Sequence, residues 1–202
     1  MRNQSYCGIA TALHVVQHAD QWQQPIRITH QSSEKSVFLK SDERVIIPGE
    51  NGADSAVVLI DPLQLDLPKQ LVSLFPTEAS LAIGVDIGWL GYPAIGGNTL
   101  CFFSGRVSAS VEGGHAYLID GVAISGVSGG PVFYNTGADI QIVGAISAYV
   151  PNKNRGDTLP GLSVAEDVAH FHNVASRVRS LDEARRQQPL EGLQMEENSP
   201  GV

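Results

Sequence analysis

Three short segments of this 202-residue chain carry residues whose types and spacing suit a shared chemistry. They are Thr11-Ala12-Leu13-His14, Asp54-Ser55-Ala56-Val57 and Gly126-Val127-Ser128-Gly129-Gly130-Pro131. Asp54 follows His14 by 40 residues, and Ser128 follows Asp54 by 74. A serine hydroxyl is a weak nucleophile at neutral pH and needs a neighbouring base that titrates near that pH, which an imidazole supplies. The base in turn needs a carboxylate to fix its tautomer and stabilise the imidazolium, a task that suits Asp54. The glycines around Ser128 let the backbone turn so that the N–H groups of Gly126 and Ser128 can face one developing oxyanion. The chemistry expected is acyl transfer, with Ser128 attacking, His14 moving the proton and Asp54 orienting His14.

Other residues of the same types fit less well. His14 and His18 stand four apart, a helical metal-ligand spacing, but no third ligand accompanies them, and neither metal nor organic cofactor is expected. His170 and His172 alternate on a helical stretch and so do not face one another. Asp61 and Asp66 match Asp54 in type, yet only Asp54 opens an alternating apolar strand, and the other two read as loop residues. Ser125 lacks the glycine frame. Cys7 and Cys101 are too few for a disulfide framework and are expected to be buried, reduced and structural.

The elements that must position these residues read as short strands separated by turns. Runs over 6–11, 26–31, 35–40, 44–48, 55–60, 85–93, 100–109, 115–120, 130–134 and 140–150 are strand-like, with Asn-Gly at 51–52 and Gly-Gly at 96–97, 113–114 and 129–130 between them. Residues 73–80, with a proline among polar residues, read as a linker between an N-terminal half (1–75) and a C-terminal half (76–162). From Ser163 the apolar spacing changes to three and four, and Ser163 with Glu166 makes a capping-box pattern, so a helix is expected over 163–181. The remainder, 182–202, reads as a solvated tail. A net charge of −8 gives no footprint for nucleic acid or anionic lipid. The uncharged stretches 87–105 and 121–138 each hold five glycines and a proline, which suits strands and turns better than a membrane helix. With no signal peptide evident before Cys7, a soluble, cytoplasmic protein is expected.

The order His14, Asp54, Ser128 and the contexts T-A-x-H, D-x-A-V and G-x-S-G-G-P together resemble the chymotrypsin/trypsin-like serine protease superfamily, nearest to bacterial trypsin-like and HtrA-like peptidase domains. The likeness runs over about residues 6–170. It implies an all-β fold of two antiparallel β-barrels with the site in the cleft between them and a C-terminal helix outside. Thirteen residues precede His14, where the superfamily has a further strand, so either the first barrel lacks that strand or the chain starts upstream. No regulatory PDZ-like module is expected from the residues after the helix. The implied activity is serine endopeptidase action on polypeptides. By the same resemblance Gly144-Ala145-Ile146-Ser147 is the cleft strand, with Ser147, Ala148 and Tyr149 against substrate, and Val122 stands at the base of the P1 pocket, implying an apolar preference. Val127 replaces the Asp by which pancreatic members are activated through cleavage, so no such switch is expected. A module of the same fold that binds peptide or a partner protein without turnover is the alternative, and an esterase a third.

Overall fold

Alternating apolar residues ahead of residue 61 build two small sheets around one core. In the computed structural model, which describes residues 7–31, 33–61, 71–111, 115–152 and 157–187, β1 (Cys7–Thr11), β4 (Arg44–Pro48) and β5 (Ala56–Ile60) form an antiparallel sheet with β5 central. A separate hairpin pairs β2 (Ile26–His30) with β3 (Lys35–Leu39). The pleat sends Ala56, Val58 and Ile60 into a core with Val16 and Leu39, while Val57 faces the other way. Covered on both faces, β5 is apolar throughout its length. Among the described residues these five strands do not close into a barrel.

Helix α1 (Leu13–Gln21) leaves β1 after Ala12. Its far end is tied down by Arg44, a buried guanidinium that donates to Leu39 O at 2.7 Å, Gln24 O at 2.9 Å and Ala19 O at 3.2 Å. Ala19 lies in the last turn, whose carbonyls lack helical partners and favour a nearby cation.

The second half closes. β7 (Asp86–Gly91), β8 (Cys101–Ser110), β9 (Ala116–Asp120), β12 (Asp157–Asp167) and β11 (Ile140–Asn152) pair in that order, and β10 (Pro131–Asn135) pairs with both β7 and β11. The result is a six-stranded antiparallel barrel, to which the two-residue β6 (Ser73–Leu74) adds in parallel on β11. Its core holds Trp89, stacked on Phe103 with ring centroids 6.0 Å apart, together with Val107, Ile119, Val127, Val132 and Ile146. Helix α2 (Ala169–Gln187) lies across the two halves, with Phe171 and Val174 packed against Val57 of the first and Ala145 of the second.

The ten strand-like runs read from the sequence are strands here, with ends shifted by a residue or two. The expected helix over 163–181 is a correction: 163–167 belong to β12, and α2 starts at Ala169. Pairing with β9 on one side and β11 on the other outweighs the local helical spacing. Ser163 caps no helix. It is wholly buried and gives its hydroxyl hydrogen to Gly121 O while accepting the Ala123 N–H, both at 2.8 Å. The carboxylate near the start of α2 is Asp167, which takes the Ala169 N–H at 2.9 Å. The linker reading of 73–80 is corrected in part, since Ser73 and Leu74 form β6. Residues 182–187, expected in the tail, continue α2, and 188–202 lie outside the described residues, as does Asp66. Cys7 and Cys101 are free thiols but half-buried rather than buried.

Candidate active site

His14 stands in the first turn of α1, and Asp54 lies in the turn that leads into β5. Their backbones meet because Leu13 N–H donates to Asp54 O at 3.2 Å. The Asp54 carboxylate then takes the His14 backbone N–H on Oδ1 at 2.9 Å and the ring Nδ1 on Oδ2 at 2.6 Å. Two of the N–H groups that every helix start leaves unpaired are thereby satisfied by one residue. An ionised carboxylate only accepts, so a neutral His14 ring carries its proton on Nδ1 and presents the Nε2 lone pair.

A third bond fixes the carboxylate from the barrel of the C-terminal half. Ser147 donates its hydroxyl to Asp54 Oδ2 at 2.8 Å, across the junction between the halves. The pairing of β11 with β12 slips between Ile146 and Ala148, leaving Ser147 on a bulge. A bulge re-aims the side chain it carries, which brings this buried hydroxyl to Asp54.

Ser128 sits in the loop ahead of β10. Val127, buried in the barrel core, pins that loop. On its other side the Gly129 N–H donates to Ile146 O at 2.7 Å, and the Ile146 N–H donates to Gly130 O at 2.9 Å. Gly126 and Gly129 take φ of +95° and +80°, a region that side chains disfavour. A Cβ at Gly129 would strike Thr11 Oγ1, so this glycine also lets the loop lie against the strand that leads to His14. Among the described residues, neither the Gly126 nor the Ser128 N–H is spent on a backbone carbonyl, and both remain available to an anionic oxygen.

His14, Gly126, Ser128 and Ser147 line one cavity of about 380 Å³, walled on its apolar side by Ala123, Ile124 and Ile146. A larger groove of about 580 Å³ runs between β1, β5 and α2 but contains neither His14 nor Ser128, so the smaller cavity is the candidate site. No hydrogen bond joins Ser128 to His14 among the described residues; such bonds often close only when substrate is present.

Among solved structures the chain is similar to the serine endoprotease from Yersinia pestis, with a TM-score of 0.60 and 20% identity over 88% of this chain and 55% of that one. It is similar to the HtrA-type protease AlgW with decapeptide, with a TM-score of 0.60 and 19% identity over 89% and 50% of the two chains. A third likeness is to Rv3671c protease in its inactive form, with a TM-score of 0.56 and 16% identity over 85% and 79%. The chain has the trypsin-like, HtrA-type protease fold. It spans about half the length of the first two of these proteases. No protein-family model and no curated protein matches it.

Within this protease fold the structure brings His14, Asp54, Ser128 and Ser147 together. Val122 is half-exposed and lies outside the cavity wall, which Ala123, Ile124 and Ser125 form instead. Ala148 and Tyr149 continue β11, opposite Val164 and Ser163 of β12. His18 stacks loosely on Trp22, and His170 and His172 bond to Ile47 O and Phe75 O. Among the described residues, no group of three or more His, Cys, Asp or Glu side chains could hold a metal ion, and no helix is long and apolar enough to cross a membrane.

Two features of the site escape the sequence reading. One is the bond from the Ser147 hydroxyl to Asp54, since Ser147 reads as a substrate contact. The other is Glu166, read as part of a helix cap. It is buried on β12 and accepts the Asp54 N–H on Oε1 at 3.2 Å. Burial pushes its carboxyl above the usual range, the nearby Asp54 and Asp167 charges add to that, and the hydrogen bond from the Asp54 N–H pulls the other way.

Proposed function

We propose that the protein is a serine endopeptidase. Ser128 attacks the scissile carbonyl; His14 Nε2 takes the hydroxyl proton and later gives it to the leaving amine. Asp54 holds the imidazole in the Nδ1–H tautomer and stabilises the imidazolium. The N–H groups of Gly126 and Ser128 receive the oxyanion, and water releases the acyl group. The observation that carries this reading is the 2.6 Å bond from His14 Nδ1 to Asp54, which frees Nε2 for the cavity shared with Ser128. The substrate is polypeptide, consistent with the decapeptide in the AlgW structure. Its P1 residue is apolar, since the cavity is walled by Ala123, Ile124 and Ile146 with no carboxylate among its lining residues.

Fluorophosphonate labelling of the chain beside Ser128→Ala and His14→Ala tests the proposal. A Ser128 adduct that both substitutions abolish, with cleavage of a peptide library after apolar residues, is the expected result. A folded chain that takes no label and cleaves nothing would instead support a peptide-binding module of the same fold.

A further inference from the structure

Residues 121–125 leave β9 as irregular backbone and supply Ala123, Ile124 and Ser125 to the wall of the cavity that holds Ser128. Ladder pairing between β9 and β12 ends at Asp120, opposite Leu162, and one more backbone bond follows, from Gly121 N–H to Gly161 O. Past that point the wall must find its hydrogen bonds outside the ladder. A side chain supplies them. Ser163 shares the inner face of β12 with the core residue Ala165 and is wholly buried. Its hydroxyl donates to Gly121 O and accepts the Ala123 N–H, both at 2.8 Å.

The two groups it joins are a carbonyl and an N–H, so their partner must both give and take a hydrogen. A hydroxyl does both, and an alanine in its place would do neither. Among the described residues no other side chain hydrogen-bonds the backbone of this wall; at its far end the Ala94 N–H donates to Ser125 O at 2.8 Å. Gly121 lies flush against the buried Trp89, which blocks an inward shift that could repair the loss.

We propose that Ser163 is a positioning residue for substrate selection, whose hydroxyl fixes the 121–125 wall and so sets which apolar P1 side chain the cavity accepts. It rests on the proposed endopeptidase function, in which this cavity takes the P1 residue. Ser163 is not among the lining residues and touches neither substrate nor reacting atoms; it acts through Ala123. Ala123 and Ile124 stand on one side of the cavity and Ile146 on another. An apolar pocket with fixed walls separates side chains that differ by one methylene by about 10- to 200-fold, and a wall free to yield does not.

The test compares the full chain with Ser163→Ala on peptides that differ only at P1, with Ala, Val, Leu or Phe there. In the variant the ratio of kcat/KM between the best and the worst of these should shrink by about tenfold, chiefly through a higher KM for the best. A merely structural loss would lower all of them alike. Amide hydrogen exchange followed by NMR reads the tie without turnover. In the parent the Ala123 amide should exchange about as slowly as that of Ile119 inside the ladder. In the variant it should exchange on the order of 100-fold faster while Ile119 stays slow. An unchanged P1 profile in the variant, an equal loss at every P1 residue, or an Ala123 amide that exchanges freely in the parent would each overturn the proposal. The last needs no variant. Failure of the endopeptidase function looks different, because the parent then takes no fluorophosphonate and cleaves none of the peptides. P1 selectivity is then read from the Kd values of the same peptides, where a narrowed range in the variant upholds the role of Ser163 and an unchanged one ends it.

Discussion

Asp54 grips His14 at two points, through the backbone N–H at 2.9 Å and through ring Nδ1 at 2.6 Å. The first bond ties the carboxylate to the start of α1, and the second sets the imidazole relative to that same helix. Ring orientation and helix position are therefore coupled. Whatever anchors α1 also aims the base, and the anchor at its far end is Arg44, among the carbonyls of Leu39, Ala19 and Gln24.

Asp54→Asn should keep the first grip and spoil the second. The amide oxygen can still accept the His14 N–H, but the amide nitrogen then faces Nδ1 and drives the ring proton to Nε2, where a base is needed. Hydrolysis of a peptide or small ester should fall by on the order of 10⁴-fold with the fold intact. A loss under about tenfold, with unchanged thermal unfolding, would remove Asp54 from its proposed role.

Gly129→Ala should damage both sides of the site at once. Its φ of +80° costs an alanine roughly 1–3 kcal/mol, and the added methyl runs into Thr11 Oγ1 and the Ala12 N–H region just ahead of His14. Gly137 is the matched control. It has φ of +87° with open space around it, in the turn between β10 and β11. Gly137→Ala should lower stability and leave turnover near that of the parent, while Gly129→Ala should lower both. Urea unfolding and ester hydrolysis on the two variants separate strain from collision.

Arg44 gives a third prediction. Arg44→Met fills much of the same space but leaves three carbonyls without their charged donor, a loss of roughly 2–4 kcal/mol if the freed groups stay buried. Arg44→Lys should recover little, because a single ammonium cannot span carbonyls that the planar guanidinium reaches from two of its nitrogens. Chemical unfolding of the two variants is the check. Equal stability of Lys and parent would show that charge alone, rather than the fork, holds the end of α1.

What could be read from the chain itself follows from where the information lies. His14, Asp54 and Ser128 sit beside glycines and strand starts whose local chemistry marks them, and strands such as β5 and β7 announce themselves by apolar runs between turns. Ser163 to Asp167 failed for the opposite reason. Their local pattern satisfies a helix, and only partners 44 to 50 residues back on β9 and 14 to 23 back on β11 make them a strand. Ser147 and Glu166 share that cause. A bulge set by strand pairing turns one towards Asp54, and the true strand assignment puts the other behind it. Neither fact has a signature within a few residues of the side chain concerned.

Glu166 should also leave its mark on stability. Burial holds its carboxyl above the ordinary range, so the folded chain binds this proton more tightly than the unfolded one. The stabilisation is complete below the unfolded glutamate value of about 4.3 and is lost as pH rises through the higher folded value. Glu166→Gln has no proton to lose. The difference in unfolding temperature, parent minus Gln variant, should therefore fall as pH rises above about 4 and level off once the folded carboxyl has ionised, while contributions from every other titrating group largely cancel. Calorimetry across that range supplies the curve. A difference that stays level would mean that Glu166 titrates alike in both states, and one that rises would mean it is held ionised, as an ion-paired carboxylate would be.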